Sequence, residues 1–566
     1  MPERTTEFLP ADLGHRSPGN LVRWLFDSRF GAPDRLLPRW IFLRALAAIY
    51  FSAFYSLLFQ IKGLIGPQGI LPVQDYLHAV ARVYPDTKFW FAPTLFWISS
   101  SSHALMIVTW IGLLASVAAF LNLWPRLSLF VCFACFLSFV SAAQDFSNYQ
   151  SDGMLLEAGF IALFFIPRGI RPGLGAISPP SRASFFLLQW EWFRIYFESG
   201  MVKLISGDRQ WRTLTAMDRY YETGPLPTWI GWHTQHLPHW FHAASAAGTL
   251  ILELGLAWML FLPRRARIIC FFIVTPWEVG VILTANYTFL NYLVLSLGFL
   301  LLDDRFLVSS VKERRKASVA GGTGEQIDEL RSAGKRVGGE SESEATDTPR
   351  TRSLLRRRGD HVSAFRLAFS ALMLTWIFYN TTAEMLLIPF RSLPLPTKPI
   401  ALLEPFRIAN QYGLFAVMTS GRYEIEFQGS NDGQNWTPYL FRNKPQLLNE
   451  APRIYAPYQP RFDWNLWFAS LGDWRQNEIV PLTEERLLGN DKDVLGLFRS
   501  NPFPQAPPRY VRAMLWQYWF TSRDEKRATG NWWRRELLGM YAPELTETPE
   551  GQPTIVQLPE RLPAHD

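Results

Sequence analysis

Several ionisable side chains lie inside apolar stretches of the sequence, where they could form the polar centre of a site. An unpaired charge at the middle of a bilayer costs at least about 2.5 kcal/mol, so each of them needs a partner or water. The residues are Glu157, Glu191, Glu198, Lys203, Glu253 and Glu278. Two interpretations follow. The groups line a cavity between helices that binds or transforms a molecule, or they pair with cations such as Arg194 and with tyrosine hydroxyls and fix helix packing.

Glu198 and Lys203 favour the functional interpretation, whereas Glu253 favours the packing interpretation. On a helix, five positions correspond to about 500° of rotation, which leaves the side chains at 198 and 203 about 140° apart. We therefore expect Glu198 and Lys203 to contact separate partners and not each other.

Cysteine and histidine offer weaker signals. Cys132 and Cys135 form a C-x-x-C pair within an apolar stretch, where a thiolate is disfavoured and Cys behaves as a small apolar residue. The only histidine cluster comprises His233, His236, His239 and His242. Its spacing could ligate a metal, but histidines beside Trp and Pro at a membrane interface more often make amphipathic contacts. The sequence therefore predicts no metal site and no cofactor.

The segment 205–240 is unusually rich in charged and aromatic side chains. The residues that could contact a partner are Asp208, Trp211, Arg212, Asp218, Tyr220, Tyr221, Glu222, Trp229 and Trp232. Aromatic rings supply contact area and charges form a soluble rim, so the composition predicts a surface that binds a partly folded, apolar client protein. An interfacial aromatic belt and a small-molecule pocket remain as alternatives.

The elements that must position these residues are membrane helices. The chain of 566 residues is 48% hydrophobic and contains 23 Trp, and about 20 apolar residues are needed to cross a bilayer as a helix. About nine spans are predicted, at 40–60, 104–123, 127–144, 154–167, 183–204, 241–262, 267–285, 287–302 and 363–390. The net charge of +7 is explained by basic residues flanking these spans, so nucleic-acid binding is disfavoured.

Basic residues recur at every second connection, which predicts a cytoplasmic N-terminus and an extracytoplasmic C-terminal region. The predicted units are a cytoplasmic segment 1–39, a membrane domain 40–302 with extracytoplasmic loops 61–103 and 205–240, a disordered cytoplasmic linker 303–362, the last span 363–390 and an extracytoplasmic β-rich domain 400–566. The first span would act as an uncleaved signal anchor.

Within these units, local patterns predict three further features. The glycines and prolines of 63–72 exclude a continuous helix and predict a re-entrant or interfacial loop on the outer face. Alternation at 423–441 predicts a β-hairpin, and the aromatic and branched residues of 510–520 predict a strand. The predicted fold class is thus a multi-pass α-helical membrane protein with a C-terminal extramembrane β-sandwich-like domain.

Five stretches carry a resemblance to a known family. They are GLIGPQGILP (63–72), SDGMLLEAGF (151–160), FESGMVKLISGDRQWRTLTAMDRYYETGPLPTWIGWHTQHLP (197–238), NQYGLFAVMTSGRYEIEFQGSNDGQNW (410–436) and APYQPRFDWNLWFASLG (456–472). With them the chain resembles the lipase maturation factors. This resemblance implies chaperone-like, non-enzymatic assistance to the folding or assembly of secreted lipases or related secreted proteins, with a secreted client and the lipid bilayer as partners.

The resemblance also implies residence in the endoplasmic reticulum membrane. The compact loops and Arg-rich linker favour a bacterial member, for which the cytoplasmic membrane would be the site. The membrane part is distantly similar to the vitamin K-dependent carboxylase group. That similarity implies an alternative, a membrane enzyme acting on a small molecule or a protein, in which Lys203 or Glu198 would be catalytic as a general base.

Overall fold

The computed structural model describes residues 18–147, 149–309 and 349–560. Its first part is a bundle of helices. They are α1 (Pro18–Phe26), α2 (Leu36–Leu58), α3 (Ile61–Ile65), α4 (Val73–Val83), α5 (Lys88–Phe91), α6 (Ser102–Phe120), α7 (Pro125–Val140), α8 (Gln150–Phe165), α9 (Arg182–Ile205), α10 (Arg209–Arg212), α11 (Tyr220–Thr223), α12 (Trp229–Gln235), α13 (His239–Leu254), α14 (Arg264–Thr284) and α15 (Leu290–Gly298).

The second part contains the longest helix and a sheet. The helices are α16 (Pro349–Leu387), α17 (Lys398–Leu403), α18 (Arg461–Ala469), α19 (Ile479–Leu488), α20 (Lys492–Leu495) and α21 (Arg523–Thr529). The strands are β1 (Arg422–Ser430), β2 (Thr437–Pro438), β3 (Tyr510–Phe520), β4 (Trp533–Glu547) and β5 (Pro553–Gln557). Of the predicted disordered linker, residues 310–348 lie outside the described residues, and the part from Pro349 onwards belongs to α16.

The helices identify a membrane protein, but with fewer candidate spans than the nine predicted. Among the described residues, four segments are long and apolar enough to cross a membrane: Leu36–Leu58, Ser102–Phe120, His239–Phe261 and Arg264–Thr284. The helix α7 is apolar but has only 16 residues, or about 24 Å at 1.5 Å per residue, which is shorter than the hydrocarbon layer. The structure thus supports four of the nine predicted spans by length and composition, and the other five stay a prediction.

The predicted spans at 154–167 and 183–204 correspond to α8 and α9, which are charged helices buried within the bundle. All four turns of α8 are shielded from solvent, and α9 contacts α1, α8, α13, α15 and α16. Because neighbouring helices surround them, these two elements can hold ionisable side chains that a lipid-facing helix could not. The predicted span at 363–390 lies in α16 except for its last three residues, because α16 ends at Leu387.

The C-terminal part contains one antiparallel sheet with the strand order β2-β1-β3-β4-β5. The predicted hairpin is confirmed, since β1 pairs with β2, and its turn is held by the Asp432 carboxylate, which accepts the N–H groups of Gln434 and Asn435 at 2.9 and 2.8 Å. The predicted strand at 510–520 is also confirmed as β3. The β-sandwich prediction is wrong, because helices α18 and α19 cover the sheet instead of a second sheet.

The C-terminal domain is docked on the bundle through buried polar contacts. Gln60, just after α2, donates to the carbonyl of Gln459 at 2.9 Å and accepts the N–H of Arg461 at 2.8 Å. The Arg461 guanidinium forms two hydrogen bonds, of 2.7 and 2.9 Å, with Asp152 on α8, and both side chains are fully buried. Removal of either side chain alone would leave a buried charge without its partner, which costs about 3–5 kcal/mol.

Residues 63–72 contribute to this docking. As predicted, they do not form a continuous helix, since α3 ends at Ile65 and the chain turns at Gly66. Most of them are buried, whereas Pro67 and Gln68 are exposed, and α3 lies against α20 of the C-terminal domain. At Gly63 the absence of a side chain permits close approach, because a Cβ there would overlap the carbonyl oxygen of Asp493 and lie 2.9 Å from Cγ of Leu497.

Replacement of Gly63 by Ala should therefore destabilise the docked structure by about 1–3 kcal/mol, the usual cost of overpacking a buried site. The thermal unfolding midpoint of the detergent-solubilised protein should fall, and limited proteolysis should release the C-terminal domain more readily.

Gly280→Ala is the matched control. Gly280 also lies within a helix, but no atom is within 4 Å of the position of its missing Cβ. Alanine favours the helix by roughly 1 kcal/mol over glycine, so this variant should be as stable as the wild type or more so. Equal midpoints for the two variants would contradict the close-approach argument.

Candidate functional site

The segment 205–240 folds into three short helices that form an interface with the C-terminal domain. Trp211, Tyr220, Tyr221 and Trp232 are buried, and they belong to a single apolar cluster with side chains of the sheet and of its approach. The members contributed by the C-terminal part are Met418, Trp464, Tyr518, Phe520 and Trp533. The aromatic rings of this segment therefore join two parts of the same chain.

Hydrogen bonds fix the register of this interface. Asp208 caps α10 by accepting the N–H of Gln210 at 2.8 Å, and its other oxygen accepts the N–H of Met418 at 2.7 Å. The indole of Trp211 donates to the carbonyl of Phe415 at 3.0 Å. Both partners come from residues 414–418, so this short stretch is held against α10 by side chains that the sequence had assigned to client contact.

Arg422, at the start of β1, is the central cation of the interface. Its guanidinium donates to the carbonyls of Glu222, Gly224 and Pro225 and pairs with Glu424, which also pairs with Lys444 at 2.8 Å. The sequence analysis did not identify this residue. The available signal was an arginine at the start of a predicted strand with alternating apolar residues. If such an arginine is buried, it needs several hydrogen-bond acceptors, which indicates an interface around it.

The nine predicted contact residues thus divide into three groups. Trp211, Tyr220, Tyr221, Glu222 and Trp232 are buried, Asp208 and Asp218 are half-buried, and Arg212 and Trp229 are exposed. Trp229 is exposed by 45%, and the Asp218 side chain keeps 34% of its surface accessible. The C-terminal domain of the same chain covers the buried members, and client contact along the segment stays a prediction.

A cavity of about 340 Å³ lies behind this interface, between α9, α13 and α14. Its polar groups are paired. The Lys203 ammonium donates to both carboxylate oxygens of Glu253 at 2.7 and 2.8 Å and lies 5.3 Å from the ring centroid of Trp211. Glu278 accepts hydrogen bonds from the Tyr196 hydroxyl and from the Asn291 amide, the latter at 2.8 Å.

The cavity suits an apolar group better than it suits catalysis. The helices α13 and α14, which line the cavity, are both candidate membrane spans. Both carboxylate oxygens of Glu253 engage the Lys203 amine. A substrate proton could reach this nitrogen only after the ion pair opened.

Glu157, Glu198 and Arg194 form a separate network at the join between α8, α9 and residues 410–412. Arg194 pairs with Glu157 and lies 3.7 Å from Glu198. Glu198 accepts the N–H of Tyr412 at 2.6 Å, and Glu157 accepts its hydroxyl at 2.9 Å. Glu198 and Lys203 therefore contact separate partners, as predicted, and for Glu198 the geometry favours the packing interpretation. Glu191 is fully buried beside this network.

The cysteines and histidines make packing contacts. Cys132 and Cys135 are buried in α7. His236 bridges the carbonyls of Trp232 and Thr521 at 2.7 and 3.1 Å, and His239 contacts Asp218 at 2.9 Å. Across the described ranges, no group of three His, Cys, Asp or Glu side chains is arranged to hold a metal ion.

Glu222 is a buried carboxyl of the interface and lies outside the candidate spans. Its carboxylate accepts the N–H of Phe520 at 2.7 Å. Burial raises the pKa of this carboxyl above its ordinary value. The hydrogen bond from Phe520 and the positive charges of Arg219 and Arg422 lower the pKa, but they offset the rise only in part. A raised pKa means that the folded protein binds this proton more tightly than the unfolded chain, so ionisation at neutral pH lowers the free energy of unfolding.

Replacement of Glu222 by Gln should therefore raise the thermal unfolding midpoint at pH 8, because the amide oxygen still accepts from Phe520 and no charge is buried. The gain should shrink as the pH falls and vanish below about pH 4, where the wild-type carboxyl is protonated in both states. Scanning fluorimetry of the solubilised protein from pH 4 to pH 8 measures this difference.

Glu222→Ala separates charge from hydrogen bonding. It removes the same charge but leaves the buried N–H of Phe520 without an acceptor, so its midpoint should lie below that of Glu222→Gln at every pH. If Glu222→Gln were less stable than the wild type at pH 8, the carboxylate would be a net stabilising group and the burial argument would fail.

Comparisons with known proteins agree with this architecture. Residues 37–309 match the model of the Lipase maturation factor transmembrane domain, and residues 408–543 match that of the Lipase maturation factor C-terminal domain. No solved structure matches the chain.

Curated relatives align over nearly the whole length. Lipase maturation factor 2 of Gallus gallus is 32% identical over 598 residues, covering 93% of this chain and 83% of the relative. Lipase maturation factor 1 of Bos taurus is 31% identical over 542 residues, covering 91% of each. Lipase maturation factor 2 of Homo sapiens is 30% identical, covering 92% of this chain and 84% of the relative. With two domain models matched in order and relatives of this similarity, the chain belongs to the lipase maturation factor family.

Proposed function

We propose that this protein assists the maturation of a secreted lipase at the extracytoplasmic face of its membrane. The family name supports the class of client, and the four candidate spans support action from a membrane anchor. The compartment would be the lumen of the endoplasmic reticulum, as for a eukaryotic relative, or the outer side of the cytoplasmic membrane in a bacterium. The role is that of a binding partner for a folding client and not that of an enzyme.

The observation that carries this proposal is the open edge of the sheet at β5. This strand pairs with β4 from Glu544↔Gln557 to Glu547↔Pro553, and within residues 349–560 no strand pairs with its other edge. All its residues are exposed, and Ile555 and Val556 are apolar side chains exposed by 53% and 50%. Natural proteins usually protect such edges with charge or a covering element.

An exposed edge of this kind suits a partly folded client. An extended segment can add to the sheet as a further strand, so that its own backbone N–H and C=O groups are paired while exposed apolar side chains contact it. The sheet is held in place by buried contacts to the bundle, notably those of Arg422 and Arg461. A fixed edge loses little conformational entropy on binding, which favours capture of a mobile partner.

The first test measures the activity per mass of secreted lipase. In cells that lack this gene, the mass of secreted lipase should be unchanged or modestly lower, whereas the activity per mass of lipase antigen should collapse. Secreted antigen and enzymatic activity are measured in parallel for each candidate lipase. If activity per mass is the same with and without the gene for every lipase tested, the proposed function fails.

The second test concerns the sheet edge. The double variant Ile555→Lys/Val556→Lys should fail to complement gene-deficient cells, leaving lipase activity per mass below about a tenth of the level that the wild-type gene gives. The reason is that charges on an edge strand oppose addition of another strand. Complementation of the gene-deficient cells measures this effect, and the thermal midpoint of each purified variant checks its fold.

Val417→Lys provides the matched control, since Val417 is an apolar side chain of the C-terminal part exposed by 67% but lies away from the sheet edge. This variant should complement fully. Full complementation by the double variant would place client contact elsewhere, and Trp229→Ala would then test the exposed part of the segment 205–240.

A further inference from the structure

A second and larger cavity lies at the opposite end of the bundle from the C-terminal domain. It has a volume of about 600 Å³, within the range of small-molecule and lipid sites. Residues of α1, α14, α16 and the start of α9 line it. The helix α9 begins here at Arg182 and ends at Ile205 beside the interface. Its 24 residues span about 36 Å, so about one membrane thickness separates the two ends.

The lining of this cavity carries an excess of positive charge. Five arginines line it, namely Arg35, Arg182, Arg264, Arg267 and Arg305. Only two acidic residues, Asp34 and Asp303, stand among the lining residues, so the net charge of the lining is three positive charges. Asp303 is engaged by Arg264, and Arg35 is buried and donates to the carbonyl of Leu302 at 2.6 Å.

Two of the three remaining arginines place charge at the rim, whereas Arg267 is half-buried. Arg182 and Arg305 are exposed. Arg182 donates to the carbonyl of Phe30 at 3.2 Å, and its guanidinium lies 4.6 Å from the ring centroid of Trp24, which fixes its position at the mouth. Arginine forks of this kind match the oxygens of a phosphate group.

The wall of the cavity is apolar where it meets the side of the bundle. Phe186 of α9 and Phe378 of α16 make an edge-to-face contact with centroids 5.8 Å apart, and both rings are partly exposed. Leu374, one turn earlier on α16, is buried beneath them. A ligand that fills this space must therefore combine an anionic head with an apolar chain.

We propose that this cavity binds one anionic phospholipid, with its phosphate against the rim arginines and an acyl chain along Phe186 and Phe378. The recurrence of basic residues at alternate connections places this end of the bundle on the cytoplasmic side. Basic pockets between membrane helices on that side are suited to anionic lipid headgroups. The site is separate from the cavity that contains Lys203 and from the sheet edge.

Native mass spectrometry of the full chain in detergent tests the proposal with phosphatidylglycerol, phosphatidylcholine and inorganic phosphate as probes. The wild type should retain phosphatidylglycerol at least about tenfold more tightly than phosphatidylcholine. The double variant Arg182→Gln/Arg305→Gln should lose about tenfold or more of the affinity for phosphatidylglycerol, with no change for phosphatidylcholine.

Arg527→Gln is the matched control, because Arg527 is an exposed arginine of the C-terminal domain whose side chain is 77% accessible. It should bind both lipids as the wild type does. Arg305→Glu, a change at one exposed side chain, repeats the test if the double variant has a lowered thermal midpoint. Equal retention of both lipids by the wild type, or unchanged binding by Arg305→Glu, would overturn the proposal. Displacement of the lipid by inorganic phosphate at matching concentration would show a phosphate site instead and would also overturn it.

Discussion

The structure depends on the pairing of charges that are buried within the helical bundle. Asp152 on α8 is paired with Arg461, and Glu157 and Glu198 accept hydrogen bonds from Tyr412. These partners lie beyond the last long helix, in the C-terminal part of the chain. A carboxylate left alone in such an environment would cost several kcal/mol. The bundle therefore needs the C-terminal domain to complete its own core, and the two parts form one structural unit.

This dependence explains why the segment 205–240 is so rich in aromatic and charged residues. A loop that joins two parts of a protein at a membrane surface must bury apolar rings, as Trp211 and Tyr220 do, and must also satisfy backbone groups, as Asp208 and Glu222 do. A client-binding surface would need the same composition. Composition therefore predicts an interface but not the identity of its partner.

Local features of the fold could be predicted from the sequence because they depend on neighbouring residues. The hairpin at 423–441 follows from alternation and turn chemistry, and the break in the helix at 63–72 follows from glycine and proline. The separate partners of Glu198 and Lys203 follow from helical geometry. By contrast, the partner of Asp152 lies 309 positions away, and no local pattern indicates a pairing at that distance. The number of spans stays a prediction, because α8 and α9 are apolar enough to resemble spans although neighbouring helices bury most of their side chains.

The two cavities, one near each end of the bundle, differ in the net charge of their linings and therefore suit different ligands. In the cavity behind the interface, Lys203 is neutralised by Glu253 and Glu278 is satisfied by Tyr196 and Asn291, so the site offers an incoming molecule little net charge. Such a lining favours an apolar group. In the cavity at the opposite end, arginines outnumber aspartates and the excess charge lies at the rim. An anion is therefore attracted to that rim more strongly than to Lys203. The Lys203 ammonium would have to break its ion pair with Glu253 before it could bind a second anion.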